Sequence, residues 1–282
     1  MRGAFGYGLP STSPAVPVVF SLLDVVGGAA IGDALAMPIA GLSHQNVRMY
    51  YKGIKGYTAD EKRGTPAGTG TAHTARLLAL ARGGSPGDAH LPPDEPYATA
   101  HAAATVAPLA LRFGPDALGP WLPRLSAHAD ARAAALAHAH VLARLTGPES
   151  RPPVPFDSDT FWAFVRRTTA DAETTCGASG RLSDRLARLD GHLGSFPLDL
   201  QDLCDGSGEA ADEAWPFALA MFARAPDLVE ATLLSAINAG GDAPTVGALV
   251  GGLLGARHGW AAFPDEWRGG LAVRAEVVTL GG

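Results

Sequence analysis

The stretch from Ala239 to Gly259 restricts this chain more than any other. It opens with Ala239-Gly240-Gly241-Asp242-Ala243-Pro244-Thr245 and continues in small and apolar residues, with no charge until Arg257. Proline suits the first turn of a helix, so the pattern predicts a helix from about Thr245 to Arg257. A helix that is apolar on every side has to be buried. The glycines ahead of it let the backbone turn tightly or approach a ligand closely. Asp242 therefore stands at the mouth of a buried helix. It is either an N-terminal cap or part of a site, and the stretch alone leaves both open.

The rest of the chain is that of a globular protein. With 282 residues, 47% of them hydrophobic and 18% charged, it can bury a large core and is not disordered. A net charge of -6, with lysine only at Lys52, Lys55 and Lys62, gives no cluster of cations for nucleic acid. Two cysteines, Cys176 and Cys204, cannot make a disulfide framework and lack metal-site spacing, which fits a reducing cytoplasm. The run Val18 to Met37 is apolar enough to raise the question of a membrane. Asp24 and Asp33 interrupt it, each at a high cost in hydrocarbon, and there is no pattern of a cleaved leader. The expected partner is a small-molecule or nucleotide-like ligand. Nucleic acid and membrane are not expected, and the aromatics Tyr50, Tyr51 and Tyr57 leave room for a protein partner.

Residues 1–14, rich in Gly, Pro, Ser and Thr, read as a flexible arm, and residues 15–282 as a single domain. Pro17 fits the start of a helix to about Met37 that Pro38 ends. From 41 to 70 the pattern predicts a long loop with a short helix at its start. Thr71 can cap a helix through Ala81, and a Pro-rich linker follows. Further helices are predicted over Tyr97–Phe113, from a Ser126 cap to Leu145, from Asp157 or Ser158 to about Ala172, over Ser183–Leu189, Ala214–Arg224 and Leu228–Asn238. Only Leu271–Leu280 alternates as a strand would. With no βαβ rhythm and no fixed repeat, the expectation is an all-α fold.

Four places carry candidate chemistry. Gly28-Ala29-Ala30-Ile31-Gly32-Asp33-Ala34-Leu35-Ala36-Met37-Pro38 puts small residues on one helix face, the usual mark of close helix packing, beside a single carboxylate. Gly68-Thr69-Gly70-Thr71-Ala72-His73-Thr74 is a Gly/Thr turn into a helix with a histidine in its first turn. Helix N-termini attract anions, and that position favours the neutral imidazole, so His73 can act as a base or line a pocket. The third is Ser126-Ala127-His128-Ala129-Asp130, most of which a serine cap explains. The fourth is the turn around Asp242.

In that order the four motifs resemble those of the ADP-ribosylglycohydrolase family. Gly32-Asp33-Ala34-Leu35-Ala36-Met37-Pro38-Ile39-Ala40 is similar to a family G-D-A-L-G-x-P-x-E, Thr71-Ala72-His73-Thr74 to T-D-D-T, His128-Ala129-Asp130 to H-x-D, and Gly240-Gly241-Asp242-Ala243-Pro244-Thr245 to G-G-D-x-D-T. The resemblance covers about Val18 to Leu271. It implies a compact multi-helix domain and a two-magnesium enzyme that cleaves the bond between ADP-ribose and a protein side chain or hydroxyl. The positions it assigns to the metals are Thr71, Ala72, His73, Asp242, Pro244 and Thr245, so three of four carboxylates are missing, and the acidic residue ending the first motif is Ala40 here.

Magnesium requires hard oxygen ligands, and the nitrogen of His73 suits zinc better, so no cofactor is expected. Asp60-Glu61 is an alternative acidic pair, but Lys62-Arg63-Gly64 does not start a helix as Thr71 does. The resulting expectation is a degenerate, magnesium-free site. It binds a ligand through Thr71, Thr74, Gly240, Gly241, Thr245, His128 and Asp130 without hydrolysing ADP-ribosyl groups. Two alternatives stand beside it. One is a metal-independent enzyme acting on a small organic substrate, with His73 transferring the proton and Asp33 or Asp242 orienting it. The other is a structural or interaction protein with no ligand.

Overall fold

The uncharged run forms the helix Ala243–His258, buried over almost its whole length. A computed structural model describes residues 22–83, 96–150 and 152–281, and among them fifteen α-helices succeed one another. They are α1 (Leu22–Ala36), α2 (His44–Tyr51), α3 (Ala72–Ala81), α4 (His101–Thr105), α5 (Ala107–Phe113), α6 (Leu122–Leu125), α7 (Ala129–Thr146) and α8 (Ser158–Cys176). The chain continues through α9 (Arg181–Leu189), α10 (Pro197–Leu203), α11 (Ala211–Arg224), α12 (Val229–Ile237), α13 (Ala243–His258), α14 (Asp265–Gly270) and α15 (Arg274–Val278). The described residues contain no strand, only isolated bridges such as Ser43–Gly240 and Thr99–Ala210. The fold is all-α.

Helices α1 and α13 form its centre, and their small residues explain why. A Cβ on Gly32 would lie 1.9 Å from the Gly247 carbonyl oxygen, one on Gly28 2.2 Å from that of Gly251, and one on Gly255 2.1 Å from that of Asp24. The matched residues climb one helix as they descend the other, so the pair is antiparallel. The four-residue spacing places them along one ridge of each helix. Backbone touches backbone, and a side chain at these positions has nowhere to go. Helices α3, α7, α11 and α12 pack around this pair. At the far end of α13 the buried Arg257 donates to Asp227 and to the carbonyls of Ser150 and Val154. A cation there also complements the helix dipole. Among the described residues one segment, Leu22–Ile39, is long and apolar enough to cross a membrane, but 83% of it is buried inside the protein.

Several expectations need correction. The span Tyr97–Phe113 is not one helix. Thr99 is bridged to Ala210 and the Ala100 N–H donates to Glu209 O, and the chain breaks again at Val106, because Pro108 in the next turn has no N–H to continue the ladder. Ser126 is extended and its Oγ accepts from the His128 N–H, so α7 starts three residues later, after His128. Helix α10 falls between the predicted helices Ser183–Leu189 and Ala214–Arg224, where the pattern predicts none. Leu271–Leu280 is not a strand. Val273 and Val277, four apart, share the buried side of a short helix, an arrangement that also reads as alternation over so few residues. The arm 1–14, the start of the first helix at Pro17 and the Pro-rich linker up to residue 95 lie outside the described residues.

Candidate functional site

Asp33 sits on α1 beside the Gly32–Gly247 contact, fully buried. Its carboxylate is used up by the start of α3. Oδ1 accepts from Thr71 Oγ1 at 2.7 Å, and Oδ2 accepts from the Thr71 N–H, the Thr74 N–H and Thr74 Oγ1 at 2.7, 3.2 and 2.6 Å. Helix N-termini leave N–H groups without intrahelical partners, and here a carboxylate from another helix satisfies two of them. Gly70 makes the approach possible, since a Cβ there would come within 2.8 Å of Asp33 Oδ2. Thr71 caps α3 by accepting from the His73 N–H.

That capping aims His73 at α13. Its Nε2 is 2.9 Å from Thr245 Oγ1, while its Nδ1 is buried without a hydrogen-bond partner. Burial is the main influence on the imidazole and lowers its pKa; Asp33 opposes this, His101 adds to it, and Asp242 opposes it. His73 is therefore held neutral near pH 7. The ring of His101, the first residue of α4, lies 4.7 Å from that of His73, and His101 Nε2 is 3.7 Å from Asp242 Oδ2. Asp242 is the N-cap of α13, with Oδ1 accepting from the Thr245 N–H at 3.5 Å. Burial alone would raise its pKa, but interactions with His101, Thr245 and His73 outweigh this and hold the carboxyl below the usual range. Its Oδ2 has no hydrogen-bond partner. Cap and site residue, alternatives in the sequence, are both satisfied by this one side chain.

Gly240 and Gly241 set that turn. Both have positive φ, +86° and +76°, and a Cβ on either would strike the backbone of Leu42 or Ser207. Their N–H groups are already spent: Gly240 donates to Ile237 O, Gly241 to Leu42 O, and the Asp242 N–H to Ser207 O at 2.7 Å. Ser207 Oγ donates to Gly240 O and accepts from Gln201 Nε2.

The structure thus brings together Asp33, Thr71, His73, Thr74, Asp242 and Thr245. His128 and Asp130 line a recess of about 360 Å³ with Tyr97, Ser179 and Arg181, where the Asp130 carboxylate accepts from the N–H and Oγ of Ser179; Tyr97 of the same recess is within electrostatic reach of Asp242. Asp60 accepts from the N–H groups of Lys62 and Arg63, closing a turn bridged to Thr65. Both Asp60 and Glu61 border a second recess of about 550 Å³ that also contains Ala40 and Tyr51. Of the three tyrosines, Tyr50 is exposed, whereas Tyr51 and Tyr57 donate to the carbonyls of Pro38 and Trp267.

Sequence reasoning missed His101 and Ser207. His101 follows no motif, and a continuous helix over 97–113 hid the fact that it begins one. Ser207 holds the turn through both its backbone carbonyl and its hydroxyl, and no local motif marks it.

Comparison with known proteins agrees with the architecture. The family described as ADP-ribosylglycohydrolase matches residues 60–281. Among solved structures the chain is similar to an "ADP-ribosylglycohydrolase-related protein complex", with a TM-score of 0.71 and 22% identity over 92% of this chain and 94% of that one. That likeness concerns the fold. A search of curated proteins returns no match.

Proposed function

The chain belongs to the ADP-ribosylglycohydrolase family, and we propose that it uses the inherited cleft to bind a nucleotide or similar small ligand without the family's two-magnesium hydrolysis. The observation that carries this reading is the occupancy of the oxygens around Asp33. Its two oxygens together already accept four hydrogen bonds from Thr71 and Thr74, and the hydroxyls of Thr71 and Thr245 are engaged with Asp33 and His73. Ala72 and Pro244 have no donor atoms. Asp242 is the one carboxylate left in this group with an uncommitted oxygen, and a pair of octahedral magnesium ions needs several. The residues present do not fit the magnesium pair. A cytoplasmic location belongs to the same proposal, in keeping with two free cysteines. Calorimetry with ADP-ribose, in the presence and absence of magnesium, tests the proposal. The expected result is binding that magnesium does not alter, and no heat with a panel of ADP-ribosyl compounds would count against it.

A second reading, proton transfer by His73 on a small organic substrate, is favoured by the imidazole's neutral state. Asp33 does not hydrogen-bond it, and Thr245 takes the orienting position instead. His73→Ala abolishing turnover of a substrate found by screening, with folding intact, would support it.

A further inference from the structure

We propose that His73, His101 and Asp242 form a mononuclear site for a borderline divalent transition cation of the zinc class, with two imidazoles, one carboxylate and an open position. The proposal goes beyond the ligand reading above and does not depend on it. One donor atom from each residue lies within 4.8 Å of the other two, and His101 Nε2 and Asp242 Oδ2 are 3.7 Å apart. Bonds of about 2.0–2.2 Å to zinc set neighbouring donors roughly 3.3 Å apart in a tetrahedron. Small rotations of three side chains therefore close the cluster around an ion.

A second observation points the same way. His73 Nδ1 and Asp242 Oδ2 are buried polar atoms with no hydrogen-bond partner, and leaving a buried polar atom unsatisfied is unfavourable. A cation between them removes both penalties. The supporting contacts are also those of a metal site. A ligating histidine usually has its other nitrogen tied to an oxygen, which fixes its orientation and tautomer, and Thr245 Oγ1 is 2.9 Å from His73 Nε2. Helices α3 and α13 point their N-termini toward this region, and each positive end, about half a charge, opposes a cation. The two full negative charges of Asp33 and Asp242 outweigh them. Two nitrogens and one oxygen select a zinc-class ion over magnesium.

The test uses the full chain stripped with a chelator, loaded with zinc or magnesium alone, and analysed for retained metal. Cobalt loading supplies a visible spectrum that reports coordination without any mutation. The expected result is one equivalent of zinc, no retained magnesium, and cobalt bands of a four- or five-coordinate site. His101→Ala should lower zinc affinity about tenfold or more, and Thr245→Val about tenfold through the orientation of His73. His140→Ala, at a histidine outside the cluster, should leave it unchanged. Because His101 is partly exposed, its variant is expected to fold even if His73→Ala does not. No zinc retained by the wild-type chain, or equal retention by wild type and His101→Ala, would overturn the proposal. Absence of heat with ADP-ribosyl compounds would instead overturn the ligand reading and leave this one standing.

Discussion

The two ends of the α1–α13 contact obey different rules. Along the seam, Gly28, Gly32, Gly247 and Gly251 face carbonyl oxygens closer than any Cβ tolerates, so the constraint is steric and every side chain violates it. At the mouth of this contact, residue 244 of α13 and residues 72 and 73 of the neighbouring α3 occupy first turns, where N–H groups lack intrahelical partners. Alanine, histidine, proline and aspartate all fit there without disturbing the helix. The fold thus enforces its seam and is indifferent to its donors. On the proposed reading, that is how the chain keeps the family's fold with a different set of donor atoms.

The largest expected effect breaks the seam. Gly32→Ala gains about 1 kcal/mol in helix propensity but drives a Cβ into the Gly247 carbonyl, and backbone cannot step aside. A net loss of about 3 kcal/mol or more should appear in denaturant unfolding, whereas an unchanged midpoint would deny the contact. Asp33→Ala comes next, because it joins seam to site. It leaves the N–H groups of Thr71 and Thr74 buried and unpaired, at about 3 kcal/mol, and should loosen the start of α3 in hydrogen exchange before the remainder unfolds.

A buried histidine away from the cluster sharpens the comparison. His138 lies in the core between α7 and α11, where its Nδ1 accepts from Trp215 Nε1, and burial pushes its pKa down from 6.5 to about 3. Between those values the unfolded chain takes up the proton and the folded one does not, so stability falls as pH falls, by about 1.4 kcal/mol per pH unit below 6.5. Replacing His138 by Gln should flatten the pH dependence of stability over pH 6.5 to 4; an equally steep profile would contradict the assignment. The smallest effect on stability is expected from Ala72→Asp, a change of less than about 1 kcal/mol, since acids suit the first turn. Combined with His73→Asp and Pro244→Asp it should nonetheless create magnesium-dependent thermal stabilisation that the wild type lacks.

This contrast also explains what could be read in the sequence. The buried α13, the α1 face of small residues and the Thr71 cap were legible because glycine, proline and capping residues act locally. The convergence of Asp33, Thr71–Thr74 and Asp242–Thr245 followed from the order of the motifs. The break at Val106, helix α10 and the short helix at Arg274–Val278 were not legible, since tertiary packing decides segments this short. His101 was invisible for a related reason: its role comes from where α4 begins, and that depends on pairing with Ala210. His128 and Asp130 line a recess whose Tyr97 is within electrostatic reach of Asp242, and the Asp130 carboxylate is taken up by Ser179.

The central claim, that the scaffold remains while its magnesium chemistry is replaced, is tested most directly by titrating magnesium into the chelator-stripped wild-type chain in a calorimeter, with an ADP-ribosylated substrate assayed alongside. No saturable magnesium binding and no released ADP-ribose is the expected result. Two equivalents of tightly bound magnesium with accompanying hydrolysis would contradict it.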